Sequence, residues 1–211
     1  MNRAYLAFTE KGLALAQKLA SALPGTVARC GHGGPGLADW TAEQFAHTDA
    51  LIFVGAVGIA VRAIAPHCRN KAVDPAVVVL DECGHFAVPI LSGHLGGAND
   101  LARALAAVCG AVPVITTATD ANGVFAVDAW ARHQNCAVLE PGRIKRVSSR
   151  LLAGGPVRYR SEFPIAGQAP AGLVPAGEAE RADFALTLFP VGDALHLIPK
   201  IGVLGIGCRR G

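Results

Sequence analysis

Two strings in this 211-residue chain carry side chains suited to moving protons. The first is Ser92-Gly93-His94-Leu95-Gly96-Gly97-Ala98-Asn99, and the second is Thr116-Thr117-Ala118-Thr119-Asp120. His94 lies among glycines, which disfavours burial of its ring in a core and favours access to solvent or ligand. An imidazole titrates at about pH 6.5 when unperturbed, so it can give or take a proton near neutrality. Asp120 with Thr116, Thr117 and Thr119 makes a second hydrogen-bonding cluster, unless Asp120 only caps the helix that follows. A third string, Gly55-Ala56-Val57-Gly58, leads to Arg62, which either pairs with a carboxylate or sits on a solvated helix face.

Each string follows an apolar run that reads as a strand. In open α/β sheets ligands bind outside the carboxyl ends of strands, so the three loops are expected to converge on one crevice. Glycine lets backbone approach a ligand closely, and a helix N-terminus offers unpaired N–H groups with partial positive charge. The candidate contacts are therefore Gly55, Gly58, Arg62, Ser92, Gly93, Gly96, Gly97, Asn99, Thr116 and Thr117, with an anionic guest. The alternative is that the glycines only make tight turns. No Gly-Lys-Ser/Thr follows either glycine loop and neither matches GxGxxG, so a nucleotide-binding domain is the weaker reading. No GxSxG surrounds Ser92, so a hydrolase nucleophile elbow is not supported.

The elements that must hold these loops alternate. Strands are expected over 4–8, 26–30, 50–54, 77–80, 86–91 and 112–115, with 81–85 as a hairpin turn between the fourth and fifth. Helices are expected over 10–23, capped by Thr9 and stopped by Pro24-Gly25, over 41–47, from Gly58 towards Pro66, and over 98–109. This pattern gives an α/β class: a layered α/β/α N-terminal domain over 1–123 with a mostly parallel sheet. A smaller α/β middle domain is expected over 124–200. It has a helix near 125–134, a basic segment (Arg143, Lys145, Arg146, Arg150, Arg158, Arg160), plain loop over 164–177, and a strand pair over 182–189 and 195–198. Residues 201–211 read as a buried strand opening a further domain.

Composition limits the rest. The chain is 52% hydrophobic and 17% charged, so it can bury a sizeable core and is not disordered. A net charge of +3 is too small for a nucleic-acid surface. The apolar span 50–64 is broken by Gly55, Gly58 and Arg62, so no membrane helix is expected. No signal peptide is apparent, and six scattered cysteines then point to reduced thiols in the cytoplasm. Cys30-Gly31-His32 and Cys83-Gly84-His85 offer two thiolates and two imidazoles to a metal, against the alternative of two ordinary turns.

At these residues the sequence resembles the cobalamin-biosynthesis CbiG family, the cobalt-precorrin 5A hydrolases. The matching stretches run over 51–62, 74–82, 91–99 and 113–120, with SGHLGGAN the most specific, and more loosely to Gly205-Ile206-Gly207-Cys208-Arg209-Arg210-Gly211. The resemblance implies an enzyme of the anaerobic pathway that opens the δ-lactone of cobalt-precorrin 5A and releases acetaldehyde. The implied substrate is a cobalt corrinoid ringed by acetates and propionates, and no resident cofactor or metal is implied because cobalt arrives in the substrate. His94 or His32 as an axial ligand ranks below proton transfer by His94 with Asp120 as its partner. A non-catalytic corrinoid-binding or partner module, working with a separate C-terminal domain or other corrin-pathway enzymes, is the competing reading.

Overall fold

A computed structural model describes residues 1–31, 33–165 and 167–201, so His32 and the expected strand over 202–211 lie outside the described residues. The described chain forms two compact units that divide between Ala121 and Asn122.

In the first unit, β1 (Arg3–Ala7), β2 (Thr26–Arg29), β3 (Ala50–Val54) and β4 (Ala76–Leu80) run parallel. β5 (Phe86–Leu91) and β6 (Val112–Pro113) extend the sheet in the order β2-β1-β3-β4-β5-β6. β5 pairs antiparallel with β4 because the turn over 81–85 is too short for a crossover, and β6 then runs parallel to β5. Strands β3 and β4 are buried at every position, as their unbroken apolar text requires.

Side chains alternate across the sheet. Tyr5, Ala7, Ile52, Val54, Val78 and Leu80 face α1 (Glu10–Ala22) and α4 (Ala98–Cys109), whose Leu19, Leu101 and Leu105 complete that core. Ala4, Leu6, Leu51, Phe53, Val77 and Val79 face α2 (Leu37–His47) and α3 (Val57–Ile64), where Trp40 meets Phe53 edge-on at 5.5 Å. Thr9 caps α1 by accepting from the Gly12 N–H at 3.0 Å. The expected strand over 112–115 is only two residues long, and α2 starts four residues ahead of Thr41. The α/β/α layering and the mostly parallel sheet agree with the sequence.

The second unit has a sheet of order β7-β11-β10-β8-β9, formed by Cys136–Val138, Leu195–Pro199, Phe184–Leu186, Val157–Ser161 and Leu173–Pro175 respectively. All its pairings are parallel except β7 with β11. Helices α6 (Val127–His133) and α7 (Ile144–Leu152) accompany it, with α5 (Ala118–Ala121) closing the first unit. Strand β7 and three further elements were not expected. The basic segment contains α7, whose Ile144, Val147 and Leu151 are buried at helical spacing beneath its charges, and the alternating strand β8. The supposed plain loop contains β9. The strand pair is parallel, returning through residues 187–194 without a helix. That return is tied down by buried His196, whose Nε2 accepts from the Val191 N–H at 2.8 Å.

Candidate active site

The polarity of β5 decides which loops meet. Gly55 follows β3, and its N–H donates to Leu80 O at the carboxyl edge of the parallel strands. Leu91 ends β5 opposite Val77, so Ser92 emerges at the other edge, beside the start of β4. A five-residue strand spans about 16 Å, so Gly55 and Gly58 stand a full strand length from the Ser92–Asn99 loop. The expected convergence of all three loops therefore does not occur. Gly55 has a packing reason instead, since a Cβ there would come 2.6 Å from the Phe8 ring. Gly58 lies in open space, and Arg62, on α3 as it returns towards the amino edge, is exposed with no polar partner among the described residues.

The Ser92–Asn99 loop is built by close backbone contacts. Ser92 adopts φ 55° with its hydroxyl donating to Asp74 O at 2.9 Å. That conformation is costly for a residue with a Cβ and is held here by the surrounding bonds. A Cβ on Gly96 would lie 2.4 Å from Ser92 Cβ, and one on Gly93 would lie 2.8 Å from Asn99 Oδ1. Gly97, at φ 87°, leads into α4. The loop's carbonyls of Ser92 and Gly93 accept from Ala98 N and Asn99 N, so two of the helix N–H groups expected to face a ligand are already used. The N–H groups of Gly96 and Gly97 make no hydrogen bond among the described residues.

Across from this loop, β6 and the turn after it bring Thr117, Thr119 and Asp120 to the same edge. Asp120 is a hub. Its Oδ2 accepts from Thr117 Oγ1 at 2.6 Å and Asn99 Nδ2 at 3.1 Å, and meets His94 Nε2 at 2.6 Å. Its Oδ1 accepts from Arg103 Nη2 at 2.5 Å. Asn99 Nδ2 also donates to Thr117 Oγ1 at 2.9 Å, and Thr119 Oγ1 lies 3.4 Å from His94 Nε2. Thr116 is exposed and takes no part. Burial opposes ionisation of Asp120, but bonds from Thr117, His94 and Arg103 outweigh it and hold the carboxyl well below the usual carboxylate range.

An ionised carboxylate only accepts, so His94 donates through Nε2–H, and in the neutral ring Nδ1 is the nitrogen able to take a proton. The arrangement suits a histidine that takes a proton at Nδ1 while Asp120 fixes its tautomer and orientation. Asp120 itself, saturated with donors, is placed to orient the ring rather than to give up a proton.

Arg103 was missed by sequence reasoning. It is four residues after Asn99 on α4, so the two share a helix face, and that spacing was the available signal. The metal reading is redrawn: Cys83 and His85 sit with Asp81, their ligand atoms within 4.8 Å of one another. Asp81 already accepts from the N–H groups of Cys83, His85 and Phe86, and Lys11 donates to Cys83 Sγ at 2.9 Å. These residues lie at the edge away from His94. No helix among the described residues is long and apolar enough to cross a membrane.

Comparison with known proteins places the hub in context. Residues 39–120 match the family model described as Cobalamin synthesis G N-terminal. A cobalt-precorrin-5A hydrolase of Salmonella typhimurium is 38% identical across 98% of this chain, which spans 66% of that relative's length. Another protein of that name, from Priestia megaterium, is 48% identical over 82 residues, covering 39% of this chain and 22% of its own. A crystal structure of a cobalamin biosynthesis protein G homolog from Sulfolobus solfataricus shares the fold, with a TM-score of 0.58 and 20% identity over 94% of this chain and 60% of its own. The SGHLGGAN loop, Asn99, Thr117 and Asp120 all fall within the family-model match. The chain belongs to the CbiG family of cobalamin-synthesis proteins.

Proposed function

We propose that this chain acts on cobalt-precorrin 5A, opening its δ-lactone and releasing acetaldehyde to give cobalt-precorrin 5B. The observation that carries this reading is the His94–Asp120 pair at 2.6 Å, held by Arg103, Asn99 and Thr117. The name of the Salmonella relative, 38% identical along nearly the whole chain, supports the substrate.

In this mechanism a water loses its proton to His94 Nδ1 as its oxygen adds to the lactone carbonyl. The Gly96 and Gly97 N–H groups stabilise the resulting oxyanion or a neighbouring carboxylate. Collapse breaks the ring C–O bond; the leaving alkoxide takes the proton from His94 to become an alcohol, and the new carboxyl releases its own proton to solvent as a carboxylate. The alcohol oxygen then gives up its proton, its C–O bond becomes the carbonyl of acetaldehyde, and the broken C–C electron pair passes to the macrocycle carbon, which is protonated. His94 moves both protons, and Asp120 stabilises the imidazolium. Cobalt enters as part of the substrate, and the mechanism asks for no resident cofactor. The reaction belongs to the cytoplasm, where reduced cysteines persist.

The test incubates the 211-residue chain, and a full-length relative, with cobalt-precorrin 5A and measures acetaldehyde. His94→Ala should lower the rate by at least about a hundredfold, the usual share of a general acid–base group. Near-normal lactone opening by that variant refutes the assignment. Substrate binding without aldehyde from the wild-type chain makes it a corrinoid-binding module instead.

A further inference from the structure

The sheet edge that carries Ser92 also borders a cleft of about 390 Å³ on the face covered by α2 and α3. Phe45 of α2 stands at one wall, and Pro66, His67, Cys68, Arg69 and Asp74 are among the residues that line the others. The cleft neighbours the loop of His94, because Asp74, which belongs to its lining, accepts through its backbone carbonyl from Ser92 Oγ. Its volume falls within the range of small-molecule sites.

We propose that this cleft binds a carboxylate-bearing arm of the substrate whose lactone His94 attacks, with Arg69 and His67 as the recognising groups. The proposal rests on the reading given under Proposed function, and it adds a binding site at the amino edge of the sheet in place of the glycine loop at Gly55 and Gly58.

Charge argues for an anion. From Arg62 to Val73 the chain carries Arg62, Arg69 and Lys71 and no acidic residue. All three cations are exposed, and none has an ion pair among the described residues. The one acid in the lining, Asp74, is buried and accepts from the Arg69 backbone N–H through both oxygens at 3.0 Å, so its charge is engaged by the backbone. A guanidinium left without a carboxylate beside a polar cleft is the group best shaped to grip one with two parallel bonds.

The other polar groups point to binding rather than chemistry. The Cys68 thiol donates to Ile64 O at 3.3 Å, and burial pushes its pKa up, so it is a poor nucleophile and a poor metal ligand. His67 packs against Phe45 with ring centroids 5.7 Å apart, which fixes the imidazole at the wall. A wide macrocycle with several peripheral carboxylates can place one arm here while its lactone lies over the neighbouring loop.

The experiment titrates the 211-residue chain calorimetrically with a cobalt corrinoid bearing free peripheral carboxylates, and with the same macrocycle as its methyl ester. The acid should bind more tightly than the ester. Arg69→Gln should weaken acid binding about tenfold or more and leave the ester unchanged, as expected for loss of a charge-assisted bond. Arg69→Lys should fall between, and Lys18→Gln, on the opposite face, should match wild type. Equal acid affinity in Arg69→Gln and wild type overturns the proposal. If neither corrinoid binds, succinate serves as the probe, followed by NMR at the His67 ring and the Arg69 side chain. Shifts that Arg69→Gln abolishes keep the cleft as a carboxylate site while the corrinoid reading falls, and the absence of shifts refutes the cleft as well.

Discussion

Replacing Asp120 with asparagine keeps the shape of the hub and removes its charge. In the native protein the carboxylate meets four donors, Thr117, Asn99, His94 and Arg103, with its side chain 20% exposed. Hydrogen bonds to charged groups contribute about 1.5–3 kcal/mol against about 1 kcal/mol for neutral ones, so neutralising the acceptor weakens each bond by roughly 0.5–2 kcal/mol. An amide also turns an NH₂ towards donors and leaves one unsatisfied. Allowing for partial exposure and local adjustment, Asp120→Asn should cost about 2–4 kcal/mol at pH 7, measured by urea unfolding. The pH dependence gives an independent check. Because the folded pKa lies below the unfolded value of about 3.9, the stabilisation is complete above about pH 5 and is lost as pH falls from there towards the folded value. The variant should lack that part of the acid limb. Its rate in an active full-length enzyme should also drop by about 10³–10⁴, since an amide favours the wrong imidazole tautomer. Unchanged stability with an unchanged acid limb would refute the reasoning.

Gly96→Ala should destabilise the first unit by about 1–3 kcal/mol in the same unfolding assay, because the new methyl would sit 2.4 Å from Ser92 Cβ in a loop with no room to give. In the second unit Glu140 accepts from the His196 backbone N–H and from its ring Nδ1, both at 2.9 Å. Burial opposes its ionisation, but these bonds and Arg143 lower its pKa below the ordinary value. Its contribution is therefore complete above about pH 5 and lost on further acidification, so Glu140→Gln should cost about 1–2 kcal/mol at pH 7 and flatten that limb. Phe184, 2% exposed and stacked between Phe125 and Tyr159, should cost about 3–5 kcal/mol on replacement by alanine, read from the urea midpoint.

Local patterns in the sequence determined the first unit's strands, the Thr9 cap, the glycine turn into α4 and the pairing of His94 with Asp120 as candidates. An unbroken apolar run as short as Ala50–Val54, bounded by turn residues, suits a strand covered on both faces, and a histidine among glycines stands out as a candidate for chemistry, although the structure leaves the His94 side chain only 14% exposed. The second unit was less legible. α7 hides three buried apolar residues among arginines and lysine, and β9 lies within a Gly/Pro-rich stretch where no periodicity appears. Tertiary structure alone decided which loops share an edge. A hairpin reverses β5, so the loop after it leaves the sheet opposite Gly55, although each loop follows the carboxyl end of its own strand. Strand direction depends on pairing partners distant in the chain, and so does Arg103, whose contact with Asp120 exists only because α4 packs beside the turn after β6.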